Sequence, residues 1–131
     1  MARRQRKTQL SELQLAVMRV LWSRGEATTA EVVADLAAQR GLAHTTVATL
    51  LTRLETHGVV AQRRDGRTWV HRALLSEAEV QRSMVAGLVA ALFAGDSAAL
   101  VAHLVREDEV TPGDLAAIRA RLEESAEADD V

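Results

Sequence analysis

Apolar positions recur along this chain at helical spacing in six segments, interrupted once by two short β-prone runs. Over residues 10–25, Leu13, Val17, Val20 and Leu21 mark one helical face. Ser11 followed by Gln14 has the pattern of a capping box, and Gly25 suits a C-terminal stop. Residues 28–41 repeat the arrangement, with Thr28 and Glu31 as cap, Val32, Val33 and Leu36 as the buried side, and Gly41 closing the segment. Residues 44–58 place Val47, Leu50, Leu51 and Leu54 at i, i+3, i+4 and i+7, and Gly58 ends that helix. Trp22 is expected in the core beside these stripes.

The period then changes. Residues 59–64 and 67–73 are β-prone and flank Asp65-Gly66, a dipeptide that favours a two-residue type I′ hairpin turn. Val60 and Trp69 fall on one face of the predicted hairpin; Val59, Ala61 and Val70 fall on the other. The pattern leaves open which face packs inward.

Three further helices follow. Residues 76–95 start on a Ser76/Glu79 cap and carry Val80, Met84, Leu88 and Leu92 as a stripe. Residues 96–108 start on Asp96, with Leu100, Val101, Leu104 and Val105 apolar. Residues 111–124 start on Thr111, with Pro112 in the first turn and Leu115, Ile118 and Leu122 on one side. A helical region this short is marginal on its own. Burial of its stripes against a second copy is the simplest remedy, which makes Leu88, Leu92, Leu100, Val101, Leu104, Leu115, Ile118 and Leu122 the candidate dimer contacts.

The polar positions carry the chemistry. The face of residues 44–58 opposite the stripe shows Thr45, Thr46, Thr49, Thr52, Arg53 and Thr56. Threonine is a mediocre helix former, so five on one short helix need a reason. Small hydroxyl side chains allow close approach to phosphates and base edges, and their methyl groups can meet thymine methyls. A merely solvated face is more commonly filled by Glu and Lys. Arg63, Arg64 and Arg67 crowd the predicted hairpin tip, where a polyanion would relieve their mutual repulsion.

Charge sharpens this division. The net charge of −2 conceals 12 Lys/Arg against 6 Asp/Glu in residues 1–74, and 4 against 12 in residues 75–131. A basic half joined to an acidic half implies two jobs, with a polyanion as partner of the first. The acidic half also argues against a general nucleoid protein. Nearly half of the chain, 48%, is hydrophobic, but with two Trp, one Phe and no Tyr the core must be aliphatic. The absence of cysteine excludes disulfides, thiolate metal sites and cysteine nucleophiles. His44, His57, His71 and His103 show no convincing metal-ligand spacing, and no nucleophile or phosphate-loop motif is present; no catalytic residue, metal or cofactor is expected. No apolar run approaches the roughly 20 residues that span a bilayer, and the basic start lacks a signal-peptide core, so the reading is a cytoplasmic protein without a membrane partner.

Three helices followed by a two-stranded hairpin is the winged helix-turn-helix order. The expected fold is mainly α: a flexible basic arm (1–9), a winged-helix DNA-binding domain (10–74), a helical dimerisation domain (75–124) and a disordered acidic tail (125–131). Double-stranded DNA is the expected partner, with Thr45, Thr46, Thr49 and Arg53 in the groove and Arg63, Arg64 and Arg67 on the backbone. The alternative is a winged-helix protein–protein adaptor, since fold alone does not fix function. An adaptor calls for an apolar or acidic exposed face on the third helix, where this chain has threonine and arginine.

Through "LSELQLAVMRVLW", "TTAEVVADLA", "HTTVATLLTRLETHGVV", "RDGRTWVHRALLSEAE" and "LVAHLVREDEVTPGDLAAIRARL", the sequence resembles the BlaI/MecI/CopY family of bacterial repressors, over roughly residues 10–124. The resemblance implies a homodimer that represses transcription from a palindromic operator. It also implies a regulatory protease in antibiotic-responsive members. The matching bond here, His103-Leu104, lacks the Asn-Phe pair of those members, and the cysteine motif of copper-sensing members is absent.

Overall fold

The computed structural model describes residues 9–129. Element order is α1 (Glu12–Arg24), β1 (Glu26–Thr28), α2 (Thr29–Ala37), α3 (His44–Thr56), β2 (Val60–Asp65), β3 (Thr68–Ala73), α4 (Glu77–Phe93), α5 (Ser97–Arg106) and α6 (Pro112–Asp129). The basic arm expected over 1–9 lies, except for Gln9, outside the described residues. The chain divides at Gly87 into two compact units.

The first unit is a three-helix core closed by a sheet. The Ser11 hydroxyl accepts the Gln14 N–H at 3.1 Å, while the Gln14 side chain accepts the Ser11 N–H at 2.9 Å, so two of the orphan donors at the start of α1 are satisfied. Gly25 ends α1 at φ 82, a conformation that favours glycine, with its N–H donating to the Leu21 carbonyl at 2.8 Å. Thr28 closes β1 and caps α2 through the same reciprocal bonds with Glu31. Val17, Met18 and Leu21 of α1 meet Val32 of α2 and Val47, Leu51 and Leu54 of α3 in one aliphatic core. Trp22 packs against that core, and its indole N–H donates to the Leu75 carbonyl at 2.9 Å.

The sheet departs from expectation in two ways. It has three antiparallel strands in the order β1-β3-β2, not two. Asp65 pairs with Thr68, so Gly66 and Arg67 are the loop residues in place of Asp65-Gly66. Only Gly66, at φ 63, takes a positive φ in this loop, which is the type II′ pattern and not type I′. The Thr68 hydroxyl donates to the Asp65 carbonyl at 2.9 Å and holds Asp65 in the strand.

Register assigns the hairpin residues to two faces, each of which is buried in part. Cross-strand partners share a face, so Ala27, Val60, Gln62, Arg64, Trp69, His71 and Ala73 lie together. The end holding Ala27, Val60 and His71 is buried, whereas the Trp69 end of the same face runs out into solvent. Val70, on the opposite face, is also buried, paired with Thr28 on one side and Arg63 on the other.

This unit reaches past the boundary read at residue 74. Val80 of α4 belongs to its core, and Leu75 and Met84 pack against it.

The second unit holds the end of α4 with α5 and α6. Asp96 caps α5 by accepting the Ala99 N–H at 3.1 Å. Thr111 caps α6, exchanging bonds of 3.1 and 2.9 Å with Asp114. Helix α6 runs to Asp129, so residues 125–129 are helical where a disordered tail was expected. The stretch reads Ser-Ala-Glu-Ala-Asp, with alanine its commonest residue, and it contains no glycine or proline to stop the helix. Among its described side chains only Val89 is buried. No single helix among the described residues is long and apolar enough to cross a membrane.

Candidate nucleic-acid interface

Helix α3 is divided sharply into two faces. Val47, Leu50, Leu51 and Leu54 are buried, while Thr45, Thr46, Thr49, Thr52, Arg53 and Thr56 are exposed. Thr49, Thr52 and Thr56 each donate their hydroxyl hydrogen to the carbonyl four residues earlier, at 2.9 Å. That bond holds each side chain close to the helix. What remains outward is a methyl group and the hydroxyl lone pairs, a low surface able to meet a thymine methyl or accept from a base amino group. Arg53 forms no ion pair among the described residues, so its guanidinium is free to find an external acceptor.

The start of α3 is also distinct. Side chains cap α1, α2 and α5, but Ala43 offers α3 no capping side chain. Its first-turn amides therefore add to the donors and the partial positive charge beside Thr45 and Thr46.

Two of the three arginines expected at the wing tip lie at the Trp69 end of the hairpin. The Arg64 guanidinium lies over the Trp69 ring, 5.4 Å from its centroid, and Arg67 occupies the turn. Arg63 instead reaches across the central strand to Glu26 of β1, at 2.8 Å. Elsewhere in this unit, arginines are also engaged: Arg24 with Asp35 and Glu31, and Arg40 with Glu12. Hydrogen bonding to Arg24 holds the Asp35 carboxyl below its usual range, and Arg40 does the same for Glu12. These pairs lower the free positive charge on that surface, leaving Arg53, Arg64, Arg67 and Arg72 of α3 and the wing without an ion pair among the described residues.

His71 sits where the wing meets the helices. It is 4% exposed; its Nε2 lies 3.0 Å from the Thr29 hydroxyl, and its buried Nδ1 has no partner among the described residues. Burial pushes its pKa down, and the Glu55 carboxylate pulls it partly back. No group of three or more His, Cys, Asp or Glu among the described residues is placed to hold a metal.

Sequence reasoning missed Glu26, His71 and the Arg64–Trp69 stack. The Glu26–Thr28 strand is three residues long, too short for alternation to show. The stack follows only once the hairpin register is known. Of the predicted dimer contacts, Leu88, Leu92, Val101, Leu115, Ile118 and Leu122 are exposed and Leu100 and Leu104 are partly buried. The His103-Leu104 bond lies within α5, and the His103 ring rests 5.9 Å from that of Phe93.

Residues 10–124 match the model of the penicillinase repressor family. The chain belongs to that family. The match spans both units of the structure. The transcriptional regulator BlaI of Mycobacterium tuberculosis is 38% identical over 119 residues, covering 89% of this chain and 85% of that relative. The penicillinase repressor of Bacillus licheniformis is 23% identical over 116 residues, covering 88% and 91%. A solved structure of the DNA-binding domain of the repressor BlaI is 30% identical, covers 54% of this chain and 87% of that domain, and superposes with a TM-score of 0.50. The penicillinase repressor family is one of DNA-binding transcriptional regulators, not enzymes, and its winged-helix fold is the one seen here.

Proposed function

We propose that this chain is a homodimeric, sequence-specific DNA-binding repressor. Helix α3 enters the major groove of a palindromic operator, where Thr45, Thr46, Thr49 and Arg53 read base edges. Arg64 and Arg67 of the wing hold the adjacent backbone, joined by Arg63 when it leaves Glu26. The observation that carries this reading is the exposed face of α3: threonines lying flat against the helix beside Arg53, which has no ion pair among the described residues. That face is low enough to enter a groove and offers no apolar patch to a protein partner.

The dimer rests on the second unit. Leu92 and Leu122 are 70% and 66% exposed, and Val101 and Ile118 are also bare. So much aliphatic surface on one short helical segment calls for a cover. A second copy supplies it with two-fold symmetry, and two-fold symmetry in turn calls for an operator with two inverted half-sites.

The test is fluorescence anisotropy with DNA from upstream of the protein's own gene against a shuffled duplex of equal length, at two salt concentrations. Preference for the upstream duplex that persists at the higher salt supports a specific regulator. Equal binding to both duplexes that vanishes with salt overturns the specific reading for that site.

A further inference from the structure

The wing carries an aromatic side chain that the core does not use. Trp69 is 43% exposed near the free end of the hairpin, whereas Trp22 is tied to the Leu75 carbonyl. Leaving an indole in water forfeits the burial that aromatic side chains otherwise contribute. Its position therefore calls for a compensating contact. Trp69 pairs directly with Arg64 across the hairpin, and the guanidinium carbon lies 5.4 Å from the ring centroid. The Arg64 Nε also donates to the Gly66 carbonyl at 3.2 Å. The guanidinium is thus held from two sides, by the ring and by the turn. No carboxylate among the described residues pairs with it, in contrast to Arg63.

We propose that Trp69 is a positioning residue for the DNA backbone: its indole holds Arg64 in place, and the stacked pair grips one sugar-phosphate unit, guanidinium on the phosphate and indole edge on the deoxyribose. This rests on the DNA-binding reading given above. An arginine on a free stem loses rotamer freedom when it takes a phosphate, and one already stacked loses less. The apolar ring edge beside the cation suits a sugar next to a phosphate, so the pair recognises backbone without reading sequence.

The experiment uses the full chain and a duplex that the chain selects from a randomised library. Trp69→Ala is expected to weaken binding about two- to fivefold, the size of an exposed cation–π contact, and Trp69→Phe to restore most of the loss. Arg64→Ala flattens the salt dependence by about 0.9 in slope, the release expected for one phosphate. The double variant loses little more than Arg64→Ala alone, because the two side chains act as a unit. Wild-type tryptophan emission changes on saturation with the duplex, and Trp69→Phe abolishes that change. Thermal midpoints of the wild type and Trp69→Ala coincide, since Trp69 lies outside the core.

Wild-type affinity in Trp69→Ala, or wild-type emission indifferent to the duplex, overturns the proposal while leaving the DNA-binding reading in place. Additive losses in the double variant overturn it as well. A lowered midpoint with no rescue by phenylalanine assigns Trp69 a structural role instead. Failure of the selection to enrich any duplex removes the DNA-binding reading and this proposal together.

Discussion

Arg63 of β2 and Glu26 of β1 form an ion pair at 2.8 Å that spans the central strand of the sheet. Both side chains are about half exposed, so the pair adds little to stability, about 0–1 kcal/mol. Its effect on DNA binding is larger in principle, because a carboxylate on the wing opposes a phosphate and occupies a cation that could meet one. Glu26→Gln is expected to strengthen binding to any duplex and to steepen the salt dependence by about 0.9 in slope as Arg63 becomes free. Titration at several salt concentrations checks this. An unchanged slope would show that Arg63 stays off the DNA whether or not Glu26 restrains it.

Arg53 is the long cationic side chain on the exposed face of α3, and it is not neutralised by any carboxylate among the described residues. If it reads a base, Arg53→Ala costs about 1–3 kcal/mol and relaxes preference at one operator position. Affinities for a set of single-substitution duplexes provide the readout. Uniform weakening across the set would reassign Arg53 to a phosphate.

The helices were legible for a specific reason. Ser11, Thr28, Ser76, Asp96 and Thr111 each accept an N–H three residues on, and each has the side chain that this geometry needs. Helix α3 has no such cap, but its stripe of Val47, Leu50, Leu51 and Leu54 repeats cleanly enough to stand alone. The sheet was harder. Asp65-Gly66 fits a two-residue loop in more than one register, and only the Asp65–Thr68 pairing places Gly66 and Arg67 at the tip. The same register puts Arg64 on Trp69, and the pairing of β1 with β3 brings Glu26 within reach of Arg63. Those relationships are long-range and leave no local trace. The α4 stripe hid a change of environment for a related reason: Val80 is in the first unit's core and Leu92 lies in solvent, yet they share one helical row.

Leu92 offers a clean test of the dimer because it is so exposed in the single chain. A surface substitution away from other contacts usually changes stability by no more than about 0.5 kcal/mol. Leu92→Asp should therefore leave the monomer folded. In a dimer that covers this position it introduces an unpaired charge into an apolar interface. Sedimentation equilibrium is expected to shift from dimer to monomer, with circular dichroism unchanged. A persistent dimer would place the interface away from Leu92.

His71 links protonation to the joint between wing and helices. Its folded pKa is depressed by burial below the ordinary value of 6.5, with Glu55 of α3 opposing the shift and the Thr29 hydroxyl of α2 bonded to Nε2. Below 6.5 the unfolded chain takes up a proton that the folded chain resists. The stability that His71 contributes is therefore fully present above that pH. It is lost as pH falls toward the folded pKa, where both ring nitrogens carry hydrogen and Nδ1 has no partner among the described residues. His71→Gln, which retains a polar group near Thr29, removes that proton linkage. The thermal midpoint of the wild type is expected to fall from pH 7 to about pH 5 more steeply than that of the variant. Parallel pH profiles for the two proteins would assign the acid sensitivity to carboxylates instead, among them the capping Glu31, Glu79 and Asp114. Backbone and hydroxyl bonds from Thr28, Ser76 and Thr111 lower those pKa values, so their contribution also fades as pH falls.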